Sequence, residues 1–404
     1  MKNIDGGICA ATGFTAAGTH CGIRKSRTKN DIALIFSEKR AAAASVYTQN
    51  LVKGAPIAVT KKNISDGYAQ AVIVNSGNAN TCNSNGVYIA EETCRLTGEA
   101  LGIPAEDIVV ASTGVIGQQM FIDPFVKGIP ELVKLLSKDG CDAATEGIMT
   151  TDTVRKQAAV ETEISGKKVT VGGIAKGSGM IHPNMATMLV FITSDCAISP
   201  KMLQKALSAI VKRTFNMISV DGDTSTNDMC TVLANGMAGN EYIDVEGRDY
   251  DTFYEALYKV MEDLSRKIAS DGEGASRLIE CVVKGAGDYD TCAVAAKAVI
   301  GSSLVKAAMF GADANWGRVL CALGYSGADL DITKISVAFE SSAGHIDVCE
   351  GGFGVDFSEE LAKKILTEKE ILILVKAGDT DAEARAFGCD LTYDYVKING
   401  DYRT

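Results

Sequence analysis

Hydrophobic and polar positions along this chain fall into two periodic patterns. Predominantly apolar runs of strand length occupy residues 32–36, 55–60, 71–74, 108–111 and 188–192, and again 278–283, 335–339 and 371–375. Each predicts a buried strand, and residues 167–174 alternate as a further strand. Helical spacing appears at 86–101, where Ile89, Cys94, Leu96, Ala100 and Leu101 can share a broad face, and at 125–136, 251–270, 292–308 and 359–368. Pro130 lies near an internal turn or kink of the 125–136 helix. Ser199 followed by Pro200 opens one more helix, with serine as N-cap and proline at the first helical position, running to about Met217.

The stretches between these elements carry the candidate chemistry. Residues 75–81 (Asn-Ser-Gly-Asn-Ala-Asn-Thr) are dense in side-chain amides, which suit either capping of backbone groups or the lining of a ligand site. Thr113-Gly114 follows a predicted strand, where a turn can aim a backbone N–H and a hydroxyl at one point, as an oxyanion hole requires; an ordinary strand-to-helix turn has the same residues. Residues 149–153 (Met-Thr-Thr-Asp-Thr) form a hydroxyl-rich loop, and Glu273 stands between two glycines, on a solvated turn or opposite an ammonium group. Between Lys176 and Leu189 runs Lys-Gly-Ser-Gly-Met-Ile-His-Pro-Asn-Met-Ala-Thr-Met-Leu. The small Ala186 before Thr187, at the mouth of an apolar run, is either a loop-to-strand junction or a bond that the chain cuts itself.

Composition narrows the classes. With 404 residues, 46% hydrophobic and 23% charged, the chain has the profile of a soluble globular protein with two or three cores. The net charge of −11 argues against nucleic acid or an anionic membrane as the main partner, yet allows one basic pocket for a carboxylate. No apolar run approaches the roughly 18 residues of a membrane span, and the first residues have no apolar signal core, so a cytoplasmic protein is expected. Twelve scattered cysteines include no C-x-x-C and no paired Cys–His cluster, so they read as reduced, buried thiols. Asp221 to Asp228 has carboxylates at calcium-like spacing, but Thr226 takes the place of the loop glycine and Val232 that of the terminal glutamate. No metal and no bound cofactor are expected.

Histidine is scarcer than any nucleophilic triad would like. Only His20, His182 and His345 exist, and no nucleophile elbow, phosphate-binding loop or dinucleotide fingerprint is present. A threonine hydroxyl needs a base, and an N-terminal threonine has one in its own α-amine, with an ordinary pKa of about 7.7–8.0. Cleavage of Ala186–Thr187 would create that amine, and the upstream Gly-Ser-Gly would allow a strained approach.

The 176–189 segment closely resembles the self-processing motif of the ornithine acetyltransferase family, glutamate N-acetyltransferases of arginine biosynthesis. Further segments are similar to that family: 74–80, Ser-Thr113-Gly114-Val-Ile-Gly, Met-Thr-Thr-Asp-Thr153, 221–228, Asp-Gly-Glu273-Gly and the terminal Asn399-x-x-Tyr402-x-Thr404. The resemblance implies an α/β fold, a layered α-β-β-α sandwich of the ornithine acetyltransferase type in two lobes. It implies cleavage into chains 1–186 and 187–404 that stay associated, commonly as a heterotetramer of two pairs. Thr187 would be the nucleophile, Thr113 and Gly114 the oxyanion hole, and Thr153, Lys176, Thr187, Glu273, Asn399 and Thr404 the substrate pocket for acetyl-ornithine and glutamate. Lys176 suits the α-carboxylate that both share, and Glu273 the ornithine ammonium. Acetyl-CoA stays open as a second acetyl donor. Two rivals remain: a self-processing N-terminal-nucleophile amidohydrolase or aminopeptidase with water as acceptor, and a non-enzymatic module in which Lys176-Gly-Ser-Gly cradles an anion.

Overall fold

The strand Ile32–Tyr47 is long enough to belong to two halves of one sheet. Its first part pairs with Phe14–Thr19 and with Tyr68–Asn75, while residues 42–47 pair with Met229–Ala234. Between Phe36 and Ala41 the ladder with Tyr68–Asn75 loses register, which marks the bend. The computed structural model describes residues 1–26, 28–182 and 188–401. The proposed cleavage site at Ala186 and Thr187, and the terminal Thr404, lie outside the described residues.

Alternation along the strands sorts their side chains into separate cores. Ala33, Ile35, Val72, Val74, Val109 and Ala111 pack with Leu189, Phe191, Met229 and Leu233 in a single cluster, so the two halves of the sheet face each other across it. On the outer face of one half, Ile32, Leu34, Ile73 and Val110 meet the helices Ala55–Asn63, Gly86–Leu101 and Asp123–Lys134. On the outer face of the other, Val190, Ile192, Cys230 and Val232 meet Pro200–Arg213 and Arg248–Ser270. The layers therefore run helix, strand, strand, helix. Nine strands form this sheet among the described residues.

A second sheet, of seven strands among the described residues, makes the other lobe. Ile279, Cys281, Ile371, Ile373 and Val375 bury one face under the helices Tyr289–Gly301, Ser303–Phe310, Trp316–Gly324 and Glu359–Leu366. Phe387 and Cys389 turn the other way and join the core of the long helix Arg248–Ser270, which welds the lobes together.

Two expectations need correction. Residues 55–60 are helical, because Gly54 caps and Pro56 sits in the first turn, where its missing N–H costs nothing. The stretch 292–308 is two helices, interrupted at Ser302, whose side chain accepts the N–H of Val305 and starts the second. No single helix among the described residues is long and apolar enough to cross a membrane. The cysteines of the described residues are all free, but Cys82 and Cys321 are exposed and not buried as expected.

Phe191 is 1% exposed and stands between the facing half-sheets. Phe191→Ala should lower stability by about 3–5 kcal/mol, read as a shifted denaturation midpoint at unchanged slope.

Candidate active site

The strand Lys167–Lys176 pairs antiparallel with Leu189–Ser194, and Lys176 lies opposite Leu189. The 177–188 connection thus leaves and re-enters the sheet at one point. On its near side Gly179 and Met180 line a cavity of about 140 Å³, together with Thr113, Gly114, Lys176, Glu273 and Asn399. On its far side the carbonyl of Met188 accepts the N–H of Met229, two residues beyond Asn227, another lining residue. The volume is below the roughly 300–1,000 Å³ of drug-sized sites and suits a small metabolite.

Thr113 and Gly114 follow the buried strand Ile108–Ser112. The Thr113 N–H donates to the carbonyl of Asn75, fixing the turn. Gly114 has φ 121°, and a Cβ there would lie 2.8 Å from the carbonyl carbon of Gly77, so the position admits only glycine. Asn227 secures the opposite wall: its amide donates to the carbonyls of Ala79 at 2.5 Å and Ser112 at 3.0 Å, and its oxygen accepts the Thr81 hydroxyl at 2.6 Å. The amide-rich 75–81 loop is therefore partly capping and partly wall, since Ala79 itself lines the cavity.

Lys176 is buried at the end of its strand. Burial lowers its pKa from the ordinary lysine value, against the opposing pull of Asp152. Glu273, also buried, accepts the Asn399 amide at 2.8 Å, and its own N–H donates to the carbonyl of Ser178 at 3.0 Å. A Cβ on Gly179 would fall 2.3 Å from the Glu273 carboxylate, so that glycine leaves room for the acid. The helix Tyr393–Asp401 supplies Asn399 and buries none of its residues, a docking lighter than the structured terminal sequence suggests. A cation and an anion thus face one small space beside a fixed hydroxyl–glycine turn.

Thr153, expected in the substrate pocket, does not line the cavity. Its N–H and hydroxyl both go to Asp271, and it lines a neighbouring cavity under the C-terminal helix, while Thr150 and Thr151 of the same loop line the site. Thr187 and Thr404 lie outside the described residues. Residues that the sequence did not single out include Asp152, Lys156 and Asp271. Lys156 Nζ donates to Asp152 at 2.7 Å and Asp271 at 2.5 Å, and Asp152 also accepts the Gly177 N–H at 2.7 Å. Burial pushes the Asp152 carboxyl up, but Lys156 and Lys176 outweigh it and hold it at about 2.

Two other groups bear on the chemistry. Asp228, fully buried just before the strand Met229–Ala234, has its carboxyl raised well above the usual range by desolvation. His182 points its Nδ1 at the Ser219 hydroxyl, 2.9 Å away, and burial lowers its pKa to about 4. It is a neutral group turned toward Ser219 and not one of the cavity-lining residues.

A model of the ArgJ family matches residues 15–404. An arginine biosynthesis bifunctional protein ArgJ from Symbiobacterium thermophilum is 51% identical over 406 aligned positions, covering all of both chains. The protein of that name from Caldanaerobacter subterraneus subsp. tengcongensis is 48% identical, again over the full length of both. A crystal structure of arginine biosynthesis bifunctional protein argJ from Bacillus halodurans superposes with a TM-score of 0.50 at 46% identity, over 53% of this chain and 98% of its own. A match from residue 15 to the last residue, with relatives aligned end to end, places the cavity just described in a known setting: the chain belongs to the ArgJ family.

Proposed function

We infer that the cavity is the active site of a glutamate N-acetyltransferase that moves the acetyl group of N2-acetyl-ornithine to glutamate in arginine biosynthesis. The observation that carries this reading is the pairing of Lys176 and Glu273 across one small cavity beside Thr113-Gly114. Lys176 takes the α-carboxylate common to both amino acids. Glu273, held by Asn399, takes the ornithine side-chain ammonium.

Thr187 is the nucleophile. Its Oγ adds to the acetyl carbonyl, the oxyanion is held at Thr113 and Gly114, and the amide C–N bond breaks as ornithine leaves with a proton. The acetyl ester then meets the amine of glutamate, the ester C–O bond breaks, and the hydroxyl is restored. The α-amine of Thr187 serves as base in both halves, which requires prior cleavage after Ala186 into chains 1–186 and 187–404. Two observations support that cut. The strands on either side of it are ladder partners inside one sheet, so the fragments stay bound. In addition, 53% of this chain accounts for 98% of the solved chain from Bacillus halodurans, about the share of one fragment. Asn399 closes the pocket from the C-terminal helix, the family resemblance assigns Thr404 to the same substrate, and Thr153 acts on the pocket through Asp271.

The relatives' name, bifunctional protein, supports acetyl-CoA as a second acetyl donor to glutamate. The assembly is a heterotetramer of two such pairs, in the cytoplasm. An amidohydrolase would share the nucleophile but has no use for a second amino acid, and the Lys176–Glu273 pairing favours transfer.

Thr187→Ala should purify as one chain of full mass, where the wild type gives two, and should transfer no acetyl group; an intact wild type that transfers normally would sink the cleavage. Thr113→Ala should reduce transfer by about 10²–10³-fold, the cost of a lost oxyanion donor, in a protein that still melts near the wild-type temperature. Glu273→Gln should raise the KM for acetyl-ornithine about tenfold to a hundredfold, as expected for a lost charged hydrogen bond of ~1.5–3 kcal/mol, and leave that for glutamate within about threefold. Equal loss for the two substrates would remove the ammonium role.

A further inference from the structure

Lys156 is wholly buried, and so is the Asp152 carboxylate that it meets; Asp271, its other partner, is 6% exposed. Burying three charges costs several kcal/mol each unless every one is paired and hydrogen-bonded. Here both carboxylates meet the ammonium and accept further hydrogen bonds, several of them from segments that build the substrate cavity. Asp152 accepts the N–H of Thr150 at 3.0 Å and that of Gly177 at 2.7 Å. Asp271 accepts from Thr153, its carbonyl accepts the Ser178 hydroxyl at 2.6 Å, and Glu273 follows two residues later. Lys156 begins the strand Lys156–Ile164 and lies opposite Ala175, beside Lys176 on the next strand.

The charges have a second consequence. One ammonium between two carboxylates leaves the cluster with a net negative charge, and Lys176 is the cation next to it. The titratable groups facing Lys176 are Asp152, Lys156, Glu273 and Asp228. Asp152 is the strongest attractor among them, and Lys156 occupies that carboxylate at 2.7 Å.

We propose that Lys156 is a positioning residue: by occupying Asp152 and Asp271 it locks three walls of the cavity together and keeps the Lys176 ammonium available for the substrate carboxylate. Without Lys156, two buried carboxylates share one cation, and Lys176 turns to Asp152 and away from the ligand. The inference rests on the proposed function for the identity of the ligands, and it is tested by binding, which needs no turnover.

Calorimetric titration of the purified wild type, Lys156→Met and Lys156→Met/Asp152→Asn with glutamate and with ornithine decides it. Lys156→Met should bind both amino acids at least tenfold more weakly, since both offer the same carboxylate. The double variant, which removes the competing carboxylate and keeps an acceptor for Gly177, should return to within about threefold of wild type. A role in packing alone predicts no recovery, so a double variant as weak as the single one overturns the proposal, as does a Lys156→Met that binds both ligands like wild type. Should Lys156→Met not fold, Asp152→Asn tests the same coupling. Lys176 loses its main attracting anion, its pKa falls, and the alkaline loss of glutamate affinity should begin at lower pH. An unmoved alkaline limb overturns the proposal. Acetyl transfer by the wild type, measured in parallel, decides the proposed function separately.

Discussion

The constraint on which the larger lobe depends is the continuity of the Ile32–Tyr47 strand through its bend. One strand hydrogen-bonded into both halves fixes how the halves meet, and the shared core of Ala33, Ile35, Val72, Leu189 and Phe191 follows from that. The close approach is visible where helices abut the sheet. A Cβ on Gly18 would lie 1.8 Å from the carbonyl oxygen of Ala143, and one on Gly140 would lie 1.7 Å from that of Ala16. At such contacts glycine is a packing requirement, since no side chain fits.

The site inherits its precision from this arrangement. Thr113-Gly114 comes from the end of a strand in one half, Lys176 from the end of a strand in the other, and Asn227 ties the two by donating to Ala79 and Ser112. Glu273 arrives at the C-terminal end of the helix Arg248–Ser270, which packs on the outer face of the second half. The functional groups therefore sit on strand and helix ends whose positions are set by buried apolar packing. Only Asn399 comes from a lightly docked element.

Much of this was legible in the sequence. The helix at 86–101 and the strands near 278–283 and 371–375 stand where the apolar pattern puts them, because one period dominates each. Residues 55–60 were not legible by hydrophobicity, since a short apolar run fits strand and helix alike, and only Pro56 after Gly54 tells them apart. The strand Lys156–Ile164 was missed because Lys156, Glu161 and Glu163 interrupt any apolar run. Of the site, Thr113, Gly114, Lys176, Glu273 and Asn399 were found through the resemblance and are brought to one cavity. The Asp152–Lys156–Asp271 cluster escaped because two of its members are 115 residues apart and a buried lysine looks like any surface lysine in sequence. A polar residue's partner is a property of the fold, and no local pattern reports it.

The position of the expected cut completes the physical picture. The strands before and after it are held by the ladder from Val171 opposite Ser194 to Lys176 opposite Leu189, and each also pairs with a further strand on its other side. Breaking the chain between their facing ends removes a covalent link and none of these hydrogen bonds. The side chains of Val171 and Ala175, before the break, share a core with Val190 and Ile192, after it. Separating the fragments would expose that core along its length, at about 25 cal/mol for each Å² of apolar surface. A bond in this connection can thus be opened while the strands on either side keep their places, as a nucleophile created by cleavage requires.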